Sequence, residues 1–490
     1  MNNKTFITFT LLVSMYTVGF SEEKPTYIIV DTGQKNYFDN NSYIKKPKKG
    51  DRFFGQDSSY IKNKPSFFDN NNGTIKDNNT ELIWQRDFSK KLTWDEALDY
   101  ARYSNIGGFS DWRIPTIKEL YSLIDFSGRT GKGRHDIATV PSDAKPYINT
   151  SYFDFEYPDE KRYIDAQYWT KTDYVSTTMN GSKTFFGVNF ADGRIKGYPK
   201  FNKGNRGSTK FYLKLVRGNK SYGKNDFVDN HNGTIFDNAT KLTWMKSDSK
   251  KGMNWENAIF YCENLNYAGK TNWKLPNAKE LQSIVDYGKS PDTTSSAAIS
   301  DIFNVTSIRN ESYDKDFPFY WTSTTHLDGK KVGSNAVYLS FGRALGFMED
   351  RKTNMKNLLD VHGAGAQRSD PKSGSTSRFS QGRGPQGDVI RIENFVRCVS
   401  DDFFKIDQSK DLRVQYKNKK TNEIKKSFNQ GEFKLEKRPG HITMFDKNHD
   451  NKISYIEAPK KMKENFKKHD LNDDGFIDKD EVRSLPKPRR

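Results

Sequence analysis

Two twelve-residue stretches near the C-terminus carry side chains able to enclose a hard cation. Asp446, Asn448, Asp450, Ser454 and Glu457 fall at positions 1, 3, 5, 9 and 12 of DKNHDNKISYIE, and Asp470, Asn472, Asp474, Asp478 and Glu481 fall at the same positions of DLNDDGFIDKDE. The backbone carbonyls of Lys452 and Phe476 take position 7. Ca2+ gathers roughly 6–8 oxygen ligands, and alternating oxygen-bearing side chains of this kind are what it takes. Gly475 meets the sharp turn at position 6 of the second stretch. Asn451 stands there in the first and adopts the left-handed conformation at modest cost, so the second set is the stronger. Ile453 and Ile477 follow the carbonyl ligands and are expected to join the two stretches by a short antiparallel bridge.

A different chemistry is suggested by a Gly/Ser/Arg-rich insertion, roughly residues 349–388, in which VHGAGAQRSDPKSG and GRGPQG bring His362, Arg368, Asp370 and Arg383 together. Loops of this length are usually functional or unstructured, so these four residues are a candidate ligand loop. The imidazole and carboxylate are also what an enzyme would use for proton transfer. Glu119 and Glu280 have a simpler reading than acid–base work. Each stands three residues after Thr116 or Asn277, the spacing of a capping box in which the carboxylate reaches back to the cap residue's N–H. DNNNGTIKD (69–77) and DNHNGTIFD (229–237) lack a closing carboxylate for calcium and read as hairpin turns. No G-x-S-x-G, phosphate-binding glycine loop or H-E-x-x-H occurs and the His form no cluster, so no catalytic residue is assigned.

The elements that position these groups form a repeat. DWRIPTIKELYSLIDF (111–126) returns as NWKLPNAKELQSIVDY (272–287), and FFDNNNGTIKDNNTELIW (67–84) aligns without gaps on FVDNHNGTIFDNATKLTW (227–244). The latter reads as two short strands and a turn. A first helix follows, capped by Thr93 or Asn254, and then a second, whose Leu120, Leu123 and Ile124, or Leu281, Ile284 and Val285, form an apolar face. Strands around Trp169 and Trp321, over 185–195 and 336–346, and at 211–218 and 394–399 complete the copies. All eight Trp fall into pairs, Trp84 with Trp244, Trp94 with Trp255, Trp112 with Trp273 and Trp169 with Trp321, which points to core rather than to ligand stacking. Cys262 and Cys398 occur only in the second copy, opposite Ala101 and Gly218. Their joint gain predicts one disulfide in an exported chain, with two buried thiols as the alternative.

Residues 1–21 read as a secretory signal peptide, a positive start followed by an apolar run too short to span a membrane. No other stretch reaches transmembrane length. The formal charge of +18 favours acidic partners, but the basic residues are spread along the chain among acidic ones. Export and the lack of a recognisable module argue against nucleic acid.

The two terminal stretches resemble EF-hand loops, and the resemblance implies that Lys452 and Phe476 offer backbone carbonyls, that Ser454 acts through water and that Glu457 and Glu481 close the two sets. The W-[RK]-[IL]-P-[TN]-x-x-E-L helix entry, the YW-T-[KS]-T strand and the terminal VRC strand together resemble the Lcl C-terminal domain family, common in bacterial exported proteins and named after a collagen-like adhesin. More distantly, a helix joined to the last strand by a disulfide is similar to the C-type-lectin-like superfold, which includes the formylglycine-generating enzymes. The resemblance implies an α+β chain: signal peptide 1–21, N-terminal arm or linker 22–66, Lcl-like repeats at 67–218 and 227–400, linker 401–440 and a small α-helical EF-hand pair at 441–485. Each repeat is expected to pack two helices on a twisted antiparallel sheet. The calcium-dependent lectin signatures E-P-N and W-N-D are absent. The namesake adhesin is associated with sulfated glycosaminoglycan. The expectation is a secreted or surface calcium-binding protein whose lectin-like domains bind acidic polysaccharide or matrix. The alternative is an enzyme of the formylglycine-generating or carbohydrate-processing kind, with its site in the 349–388 insertion.

Overall fold

Three short strands open each repeat; their first turns rest on Asn, Gly and His, which accept the positive φ required at Asn71, Gly73, His231 and Gly233, while the second turns hold Glu81 and Lys241 there. The computed structural model describes residues 24–401 apart from 134–135, 160, 203–206, 330 and 351–352, and further on residues 453–454, 458, 460–464, 466–469 and 476–477. The first repeat contains β1 (Phe67–Asp69), β2 (Thr74–Asp77), β3 (Leu82–Gln85), α1 (Trp94–Tyr103), α2 (Ile117–Tyr121), β4 (Gln167–Tyr168), β5 (Asp173–Thr178), β6 (Ser182–Asn189), β7 (Arg194–Pro199) and β8 (Val216–Gly218). The second contains β9 (Phe227–Asp229), β10 (Thr234–Asp237), β11 (Leu242–Met245), α3 (Trp255–Glu263), α4 (Ala278–Ser283), β12 (Phe319–His326), β13 (Asn335–Ser340), β14 (Leu345–Glu349), β15 (Lys356–Asp360), β16 (Gln367–Pro371) and β17 (Val399–Ser400). The architecture is α+β and rich in sheet.

The helices start where their caps dictate. The Thr116 N–H donates to the Glu119 carboxylate at 2.8 Å while Glu119 N–H donates to the Thr116 hydroxyl at 3.2 Å. Asn277 and Glu280 repeat this at 2.8 and 2.9 Å. Thr93 and Glu96 make a third box, whereas α3 has only the forward bond from Asn254 because Asn257 stands where α1 has its glutamate. The apolar face then buries: Leu120, Leu123, Ile124, Leu281, Ile284 and Val285 all lie in one core shared by both repeats. Seven Trp are buried and Trp94 is half-buried beneath the Lys200 ammonium, 4.4 Å from its ring centroid.

Each repeat has a four-stranded sheet, β8-β3-β2-β1 and β9-β10-β11-β17. A larger antiparallel sheet runs through both, in the order β12-β13-β16-β7-β6-β4, with β5 also on β6. Its centre is the contact of β16 with β7 at Gln367 and Ile195, so the repeats meet across an approximate dyad. The 349–388 stretch is therefore not a loop throughout. In repeat one, β6 pairs with the strand that follows it, but in repeat two the following strand, β14, turns away to pair with β15. β16 fills the vacated edge of β13.

The register also corrects the counterpart of Cys398. Val216 faces Trp84 as Val399 faces Trp244, so Leu215, not Gly218, stands in its place. The Val-Arg pair that precedes both Gly218 and Cys398 is out of register in space, Val216 matching Val399 rather than Val396. Cys262 and Cys398 are joined, with Cα atoms 5.6 Å apart, inside a core that repeat one fills with Ala101 and Leu215.

Residues 24–66 carry more structure than a linker. They form a small hairpin of Tyr37–Phe38 on Tyr43–Ile44 and bury Tyr27, Val30, Phe38, Gln56 and Asp57. These residues form unit one, Met1–Phe404, with the repeats. In unit two, Lys405–Arg490, β18 (Ile453–Ser454) pairs with β19 (Phe476–Ile477), and short helical turns α5 (Lys460–Lys463) and α6 (Phe466–His469) lie between them.

Candidate functional site

The repeated motif places a lysine between cap and glutamate in both copies, and each lysine reaches across the dyad. Lys118 Nζ donates to the Ser283 carbonyl at 2.6 Å, and Lys279 Nζ to the Ser122 carbonyl at 2.8 Å. Lys118 also donates to the Gly223 carbonyl and the Asn225 amide oxygen, at 3.1 and 3.0 Å. Burial pushes both ammonium groups down to about 8, against the pull of nearby aspartates. Beside each lies an ion pair that the sequence reading did not foresee. Arg113 grips Glu119 with two bonds of 2.7 and 2.6 Å, and Lys274 meets Glu280 at 2.5 Å. The signal was the basic residue before I-P or L-P in both copies.

Around Lys118 the seam opens into a cleft of about 730 Å³, within the range of ligand sites. Arg113, Thr172 and Tyr287 line it, and Lys171, Lys220 and Lys224 stand exposed at its rim. Glu119 and Asp286 oppose them, so the net lining is basic. Exposed lysines around a concavity concentrate anionic ligands.

The candidate ligand loop sits elsewhere. His362 is buried, its Nε2 2.9 Å from Asp388, which also pairs with Arg368. Burial, with Arg368 and Lys196 adding to it, holds the imidazole neutral. Asp370 accepts from the Arg391 N–H and the Asn394 amide, at 3.1 and 3.2 Å, and Arg383 donates to the Ser369 carbonyl at 2.7 Å. Thus His362 and Arg368 converge on Asp388, while Asp370 and Arg383 are held separately. Across the dyad Arg194 donates to the Ser369 hydroxyl at 3.4 Å and to Asp192 at 3.1 Å, and His326 bonds the same hydroxyl at 3.0 Å. A buried network whose partners come from both repeats orders the sheet junction.

The other sequence candidates have local explanations. Asp69 accepts the Asn71 N–H and the Arg86 guanidinium, both at 2.8 Å, and Asp229 accepts the His231 N–H and Lys246, so both close hairpins. Of the residues expected to bind calcium, Asp446, Asn448, Asp450, Lys452, Glu457, Asp470, Asn472, Asp474, Asp478 and Glu481 lie outside the described residues, as do the expected signal peptide and residues 402–440. Ile453 pairs with Ile477 and Ser454 with Phe476, both isoleucines fully buried. That register sets position 9 of one loop against position 7 of the other. Among the described residues no helix is long and apolar enough to cross a membrane.

The Lcl C-terminal domain family model matches residues 73–217 and again 233–359, and an EF-hand model matches 462–486. No curated protein and no solved structure matches the chain.

Proposed function

This chain belongs to the Lcl C-terminal domain family, and from that premise we propose that it is an exported calcium-binding recognition protein. Its tandem lectin-like domains bind an acidic extracellular polymer, polysaccharide or matrix, and its EF-hand pair holds Ca2+. The EF-hand match covers the second loop, whose Asp470, Asn472, Asp474, Phe476, Asp478 and Glu481 hold the ion, with the first loop contributing Asp446, Asn448, Asp450, Lys452, Ser454 and Glu457. Bound Ca2+ supplies cross-linking of the loop carboxylates, which fixes the helices that flank them.

The observation that carries the recognition reading is the basic cleft at the seam. Each exposed lysine contributes about 1 kcal/mol or less to a carboxylate or sulfate contact in water. Binding through several of them is therefore weak per contact, additive over a polymer and sensitive to salt. Heparin and polygalacturonate binding, measured by calorimetry at low and physiological salt, tests this. The triple variant Lys171→Glu/Lys220→Glu/Lys224→Glu is expected to weaken binding at least about tenfold. Equal binding by the variant sinks the assignment to this cleft.

A further inference from the structure

The dyad gives the open cleft a counterpart, and the counterpart is full. There Thr324, Lys279 and Lys274 of repeat two face Phe126 of repeat one, as Thr172, Lys118 and Arg113 face Tyr287 in the cleft. The N-terminal arm fills the space. Phe126 N–H donates to the Thr32 carbonyl at 2.7 Å, Lys279 Nζ to the Asp31 carbonyl at 3.1 Å, and the Thr324 hydroxyl to the Asp57 carboxylate at 2.5 Å. The arm thus seats a backbone carbonyl and a carboxylate on fixed donors.

Among the described residues only one of the three contacts is met from within the open cleft, since the Gly223 carbonyl receives Lys118. The Tyr287 N–H, matching that of Phe126, has no acceptor among the described residues. The Thr172 hydroxyl accepts the Ile117 N–H at 3.0 Å, as Thr324 accepts that of Ala278 at 3.0 Å, but has no carboxylate to donate to among the described residues. Lys171, with Lys220 and Lys224 from the stretch between the repeats, adds positive charge at the rim.

We propose that this cleft receives an extended acidic polypeptide segment of a partner protein, with a backbone carbonyl on the Tyr287 N–H and a carboxylate on the Thr172 hydroxyl beside Arg113. Main-chain bonds supply affinity and the hydroxyl and basic rim select acidic side chains, a division common in peptide recognition. This rests on the reading of the cleft as the acidic-ligand site and narrows the ligand class to protein.

The test titrates the full chain with poly-L-glutamate, which self-repulsion keeps extended, and with polygalacturonate as the acidic glycan, and follows amide hydrogen exchange. Poly-L-glutamate is expected to bind and to slow exchange at Tyr287. Thr172→Val, which loses a hydrogen bond to a charged group, weakens binding about tenfold, and Lys220→Glu/Lys224→Glu weakens it by a similar factor. The double variant changes only exposed positions and keeps the test valid if Thr172→Val does not fold. Binding of polygalacturonate alone, or poly-L-glutamate binding that leaves Tyr287 exchange unchanged, overturns the inference while the acidic-ligand reading stands. Failure of both polymers overturns both.

Discussion

Asp57 fastens the arm to the repeats and should make that attachment depend on pH. Its carboxylate is buried and accepts the hydroxyls of Thr32, at 2.7 Å, and Thr324, with Lys274 and Glu280 nearby. Burial raises it from 3.8 to about 6, the two hydroxyls holding it from rising further. The folded chain therefore binds the proton more tightly than the unfolded one. The stabilisation is fully present below 3.8 and is lost as pH rises through about 6, a change of about 3 kcal/mol across the window. Asp57→Asn keeps an oxygen for the hydroxyls but cannot titrate. Urea unfolding of both proteins from pH 3 to 8, followed by Trp fluorescence, is expected to show the wild type losing about 3 kcal/mol relative to the variant as pH rises. The protection factor of the Phe126 amide, which donates to Thr32 of the same arm, should fall over the same range in the wild type only, once the intrinsic rise of exchange with pH is divided out. Parallel stability curves for the two proteins would refute the reasoning.

Three further outcomes are expected. Reducing the Cys262–Cys398 bond reopens a loop closed over a separation of 136 residues and should cost about 5 kcal/mol in urea unfolding; an unchanged midpoint under reductant would remove the disulfide from the stability of repeat two. Glu119→Ala leaves the half-buried Arg113 without its bidentate partner and should cost about 3–5 kcal/mol, whereas a loss below about 1 kcal/mol would make Glu119 a cap alone. Glu481→Gln removes the bidentate ligand of the second loop, and calorimetric titration with Ca2+ should then lose its tighter site; an unaltered isotherm would place the binding elsewhere.

What the sequence disclosed was local. The Thr116/Glu119 and Asn277/Glu280 spacing announced both helix starts because a capping box is complete within four residues. The Ile453–Ile477 bridge was legible because loop geometry fixes it. The junction of β7 with β16 was not, since Ile195 and Gln367 are far apart and neither strand alternates cleanly. The arm read as a linker because it is held by carbonyls and single side chains, such as Thr32 and Gln34, which leave no hydrophobic period. Lys118 and Lys279 were visible as repeated letters, but their role exists only when two copies face each other. The cleft followed the same rule, for its walls come from Thr172 in one repeat and Tyr287 in the other.

The approximate dyad also bears on valency. Duplication of one unit about a twofold creates recognition grooves in pairs, but a single chain has a single arm, and that arm is spent on one of them. Among the described residues, two equivalent half-sites thereby become one internal latch and one open groove, so the proposed partner would meet one groove per chain and approach from one direction.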